Sequence, residues 1–127
     1  MARILVVEDD QACSAVLVSA LSQEGHEVRC ATSPKEAVKS MQAYEPDLLI
    51  ADWLLDDREV ECDGVDFARL VHASWPDLQI IITSGMPREL IRREARDLPI
   101  YKIIEKPIEL DDLLQHVRNT PVRARVP

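Results

Sequence analysis

The stretch "ILVVEDDQ", Ile4 to Gln11, sets four apolar residues directly against three acids. At ~4 Å each like-charge pair costs about 1 kcal/mol in water and about 4 kcal/mol at an effective dielectric of ~20. Glu8, Asp9 and Asp10 therefore either turn outward as helix caps and solvated loop residues, or gather round something positive. Read as a strand, the apolar run delivers all three to its carboxyl end.

Three other apolar runs resemble the first, at residues 48–51, 78–82 and 100–104, with a weaker one at 28–31. Continuous apolar runs of this length predict strands covered on both faces, as in a parallel sheet. Between them the spacing turns helical. From residue 10 to 24, Cys13, Val16, Leu17, Ala20 and Leu21 form one stripe, and Gly25 supplies a stop. In "SPKE", Ser33 caps, Pro34 takes the first helical position and Glu36 completes a capping box. Further helices are predicted at about 65–75, 87–97 and 109–119, the first and last closed by Pro76 and Pro121.

Strand and helix thus alternate five times. Right-handed crossovers then give an α/β fold: a doubly wound five-stranded parallel sheet with helices on both faces. The flavodoxin-like order 2-1-3-4-5 places strands 1 and 3 side by side at the topological switch point, where ligands collect.

The 127 residues suit one domain over 1–120, with 121–127 as a short tail and no output domain. A net charge of −8 argues against a nucleic-acid partner, whose phosphates are gripped by Lys and Arg. No apolar run approaches the roughly 20 residues that cross a bilayer, and Met1-Ala2-Arg3 leads straight into a strand. Cys13, Cys30 and Cys62 are odd in number and lack metal spacing, which fits reduced thiols in a cytoplasmic protein.

Strand 1 ends at Glu8-Asp9, and strand 3 ends at Asp52 after "PDLLIAD". Adjacent strand ends bring these carboxylates together as hard oxygen ligands of the kind Mg2+ takes, with a modest contribution from the helix start near Asp10. Strand 4 closes "IIITSG", delivering Thr83 and Ser84, and strand 5 closes "IIEKP", delivering Lys106. Singly, Thr83 reads as an ordinary strand residue and Lys106 as a solvated cation beside Glu105. At the ends of successive strands they make a set: a carboxylate, a metal, a hydroxyl and an ammonium are what holding a phosphoryl group requires.

In "ILVVEDD", "PDLLIAD", the Asp63-Gly64 pair, "IIITSG" and "EKP", in this order, the chain resembles the receiver domain of bacterial two-component response regulators over about residues 2–120. The resemblance implies that Asp52 accepts a phosphoryl group from a histidine kinase or phosphotransfer protein, forming an aspartyl phosphate. It implies Mg2+ held by Asp9 directly, by Glu8 through a water, by Asp52 and by the backbone carbonyl of Leu54. Thr83, Ser84 and Lys106 would bind the phosphoryl group, and Pro107 would be the family's cis proline. A single receiver signals through a protein surface. The expected one is the fourth helix, fifth strand and fifth helix, facing a downstream target or a second receiver, or helix 1 docking a phosphotransfer bundle. Arg88, Arg92, Arg93 and Arg96 make helix 4 basic against Glu89 and Glu94.

The match weakens in places. Asp56 stands where receivers usually carry Pro, and the loop "DDREVECD", Asp56 to Asp63, is about four residues longer than usual, with five acids to one Arg. It reads as a solvated loop or as a border of the pocket that tunes metal affinity. Ile103 replaces the Tyr or Phe that many receivers place three residues before the lysine. Tyr101, expected on the same strand face about 7 Å back, is a doubtful substitute beside Thr83 in the switch. Leu54 and Gly85 offer no side chain to orient an attacking water, so phosphoryl lifetime is expected to follow solvent access across Gly85. Three rivals stand beside this reading. A haloacid-dehalogenase-type hydrolase wants D-x-D-x-T/V, which "EDDQA" lacks. A flavin module wants a phosphate loop where the acids sit. A degenerate receiver would act only as an interaction module.

Overall fold

A computed structural model describes residues 2–53 and 64–121. The elements run β1 (Arg3–Val7), α1 (Gln11–Gln23), β2 (Glu27–Ala31), α2 (Pro34–Tyr44), β3 (Leu48–Asp52), α3 (Gly64–Ser74), β4 (Gln79–Ser84), α4 (Arg88–Glu94), β5 (Lys102–Glu105) and α5 (Leu110–Asn119). All strands pair in parallel in the order β2-β1-β3-β4-β5. Among the described residues no helix is long and apolar enough to cross a membrane.

Side-chain alternation along each strand splits the core in two. Leu5, Val7, Leu49, Ala51, Ile80, Ile82 and Ile103 face the layer built by Ala37, Met41, Phe67, Val71 and Ile91 of α2, α3 and α4, with Ala95 just after α4. Ile4, Val6, Leu48, Ile50, Ile81 and Ile104 face Leu17 and Leu21 of α1 and Leu113 and Val117 of α5. That division explains the unbroken apolar runs: both faces of the central strands are dry, and every residue of β3 is buried.

The local signals largely hold. Ser33 Oγ accepts from Glu36 N–H at 3.2 Å with Pro34 at the first helical position. The Glu36 carboxylate accepts from the Thr32 hydroxyl at 2.9 Å and from Thr32 N–H, one residue before the cap. Three expectations need correction. Val16 is 52% exposed, because α1 buries Ser14, Leu17 and Leu21 against the sheet and α5. Helix α4 stops at Glu94 rather than near 97, and β5 begins at Lys102 rather than at 100. Tyr101 thereby precedes the strand and escapes its alternation. Its ring packs with the α1/α5 layer and its hydroxyl donates to Asn119 O at 3.2 Å, on the opposite side from Ile103.

Candidate functional site

Glu8 continues the Ile4–Val6 side of β1, Asp52 the Leu48–Ile50 side of β3, Thr83 the Ile81 side of β4 and Lys106 the Ile104 side of β5. Four neighbouring chain segments therefore present polar side chains from one face at the carboxyl edge. Asp52 and Thr83 are directly paired across β3 and β4. Asp52, Glu8 and Thr83 are buried, whereas Asp9 is exposed.

One carboxylate oxygen from each of Glu8, Asp9 and Asp52 lies within 4.8 Å of the other two. Lys106 Nζ donates to Asp52 Oδ2 at 3.0 Å and to Glu8 Oε2 at 3.3 Å. The lysine is thus bound to the carboxylates rather than solvated beside Glu105, whose side chain instead accepts from Arg88 N–H at 2.8 Å. Burial pushes the Glu8 carboxyl above its ordinary value, the Asp52 charge adds to this, and the Asp10 N–H and the Lys106 ammonium oppose it. At Lys106 burial works against the charged form, but the hydrogen bonds and charges of Asp52 and Glu8 outweigh it and hold the ammonium above its usual value.

The three opening acids divide between the two roles the sequence left open. Asp10 is the N-cap of α1, its carboxylate accepting from Cys13 N–H at 3.1 Å. Glu8 turns inward, with Oε1 accepting from Asp10 N–H at 3.1 Å. Asp9 remains exposed at the mouth. Among the described residues, three carboxylates against one ammonium leave the cluster net anionic, and its metal-competent donors are all hard oxygen. That chemistry fits Mg2+, which keeps several waters and takes few carboxylates.

Of the other expected residues, Ser84 is buried and its hydroxyl accepts from Met86 N–H at 2.9 Å, so it also shapes the turn after β4. The Lys106–Pro107 peptide bond is cis. Leu54 and the acidic stretch from Asp56 to Asp63 lie outside the described residues. Sequence reading passed over Trp53, whose buried indole Nε1–H donates to Glu94 Oε2 at 3.1 Å. Only its place directly after Asp52 marked it.

The response regulator receiver domain profile matches residues 4–118, so this chain belongs to the response regulator receiver family of two-component signalling. The relatives it matches are named as response regulators and transcriptional regulators. The chain is 28% identical over 124 residues to the response regulator receiver protein CpdR of Brucella abortus (strain 2308), covering 98% of this chain and 100% of that one. It is 30% identical over 128 residues to the DNA-binding transcriptional regulator NtrC of Azospirillum brasilense, spanning 97% of this chain but 26% of that relative. The crystal structure of the receiver domain of NtrX from Brucella abortus superposes with a TM-score of 0.82 at 28% identity, over 91% of this chain and 95% of that one. A CheY-like receiver from Methanospirillum hungatei JF-1, at 24% identity and a TM-score of 0.84, shares the fold.

Proposed function

We propose that Asp52 is a phosphoacceptor: its carboxylate oxygen attacks phosphorus of a phosphohistidine on a histidine kinase or phosphotransfer protein. The new O–P bond forms as the P–N bond breaks, and the freed imidazole takes up a proton. The observation that carries this reading is the Lys106 ammonium bridging Asp52 and Glu8 at 3.0 and 3.3 Å, with Asp9 beside them. An ammonium held against the acceptor carboxylate supports this reading, because preorganised positive charge beside transferred oxygens lowers a barrier. The pairing of Thr83 with Asp52 across β3 and β4 supports its assignment as a hydroxyl donor to a phosphoryl oxygen.

Mg2+ is assigned to Glu8, Asp9, Asp52 and the Leu54 carbonyl; when bound it neutralises carboxylate and phosphoryl charge together. Downstream, the reading assigns the α4–β5–α5 side to a protein target or a second receiver. There Arg92, Arg96 and Lys102 line a cleft of about 300 Å3 over Leu98, Ile100 and Ile103. Cations around an apolar floor suit an acidic segment with an apolar anchor better than a nucleic acid.

The test is incubation with acetyl phosphate and Mg2+, followed by intact mass. One added phosphoryl group that disappears in Asp52→Asn is the expected result; equal labelling of D52N overturns the assignment. Sustained turnover of p-nitrophenyl phosphate would instead favour the hydrolase.

A further inference from the structure

Helix α4 is seven residues long, starts at Arg88 with Pro87 at the N-cap and no side-chain cap, and ends in an acid, Glu94. A helix this short is marginal alone; Arg92 and Arg93 in its last turn complement the helix dipole, while the Glu94 carboxylate at its end opposes it. Its seat therefore depends on tertiary ties, and those ties run to the chain neighbours of the two central site residues. At one end Glu94 accepts from the indole N–H of Trp53, the residue after Asp52. At the other, Arg88 N–H donates to the side chain of Glu105, the residue before Lys106.

Trp53 is unusually well placed to sense its neighbour. It is 3% exposed, and its ring belongs to the packed cluster that holds Ile91 and Ala95, the buried residues under α4. Its backbone N–H donates to Thr83 O at 2.9 Å, so the step from Asp52 to Trp53 is locked to β4. An indole has a single polar hydrogen, and here it is committed to α4. The exposed pair Arg69–Asp97 anchors the turn after α4 to α3 and leaves the site untouched.

We propose that the Trp53–Glu94 hydrogen bond is the tie through which the phosphorylation state of Asp52 sets the seat of α4. Trp53 is a positioning residue here, not a phosphoryl ligand, and the proposal rests on the phosphoacceptor reading above. A phosphoryl group on Asp52 engages Thr83 and Lys106, shifting the carbonyl that holds Trp53 and the segment that carries Glu105. Both tethers of α4 then move together, and packed elements convert such small shifts into a discrete change of seat. Because α4 and its following turn supply Arg92 and Arg96, that change alters the cleft against β5. Ile103, on the same side as Trp53, has no polar handle and contributes packing alone.

Hydrogen exchange of residues 88–98, with and without beryllofluoride and Mg2+, tests the tie, with acetyl phosphate labelling followed by mass in parallel. In the parent protein, exchange in α4 is expected to change about threefold on beryllofluoride. Trp53→Phe keeps an aromatic ring, smaller than the indole, and loses the donor; Glu94→Ala, at an exposed position, loses the acceptor without touching the core. Both are expected to label at Asp52 like the parent while their α4 no longer responds. Glu94→Gln keeps an acceptor oxygen and is expected to keep the response. The readout is the beryllofluoride-dependent difference, which a merely structural role leaves in place. A labelled W53F or E94A protein whose α4 responds as the parent's does overturns the proposal alone, as does loss of the response in E94Q. Failure of the parent to label overturns the phosphoacceptor reading, and this proposal with it.

Discussion

The Lys106 ammonium lies 3.0 Å from a carboxylate oxygen of Asp52, 54 residues earlier in the chain, and 3.3 Å from one of Glu8. Two buried acids thus share one partly exposed cation. Removing the cation leaves them facing each other in a poorly hydrated setting. Lys106→Met is expected to destabilise the protein by about 1–3 kcal/mol without Mg2+, less than for a fully buried pair because the lysine reaches solvent. Urea unfolding in EDTA measures this, and an unchanged midpoint would show that the bridge contributes nothing to the resting fold.

Divalent cation binding should itself stabilise the fold by mass action. At one hundred times its dissociation constant, a ligand specific to the native state adds about 2.7 kcal/mol. The melting temperature is therefore expected to rise with Mg2+ and return on chelation. Asp9→Asn should flatten the titration while leaving the metal-free stability nearly unchanged, since Asp9 is exposed. A full Mg2+ shift in D9N contradicts the assigned ligand set.

His26 governs a separate, pH-dependent contribution. Its Nδ1 accepts from Ala2 N–H at 3.1 Å, which requires the unprotonated nitrogen. Burial holds its pKa below the ordinary 6.5, Arg118 acts the same way and Glu24 opposes. Below 6.5 the unfolded chain takes up a proton that the folded one resists, so stability is full above that value and falls as pH drops through it. The stability difference between the parent and His26→Gln should shrink from pH 7.5 to pH 5. A difference constant over that range removes His26 from the account.

Gly85 follows the site on β4, and a Cβ built there meets nothing within 4 Å. Gly85→Glu should therefore fold with a stability change within about 0.5 kcal/mol. The new side chain would cover the approach to Asp52 and slow loss of the phosphoryl group about threefold, roughly 0.6 kcal/mol in barrier. Decay of labelled protein followed by mass measures this; an identical half-life means that water arrives by another route.

Much of this was legible in one dimension. The apolar runs announced the parallel strands, "SPKE" marked the start of α2, and Glu8, Asp9, Asp52, Thr83 and Lys106 stood out as polar residues at strand ends. Such signals are local: a run buried on both faces or a cap depends on residues a few positions apart. Which acid capped and which turned inward was not legible, because Asp10 and Glu8 differ only in where α1 and the neighbouring strands place them.

The tertiary structure alone decided the pairings across long separations. Tyr101 left the face of Ile103 because β5 starts two residues later than expected, a register set by pairing with β4. Lys106 met Glu8 and Asp52 rather than solvent, and Trp53 met Glu94 across 41 positions. Residue order determined which groups arrive at the sheet's edge; only the folded packing determined which of them touch, since contact depends on strand order and on the seating of helices that no local pattern records.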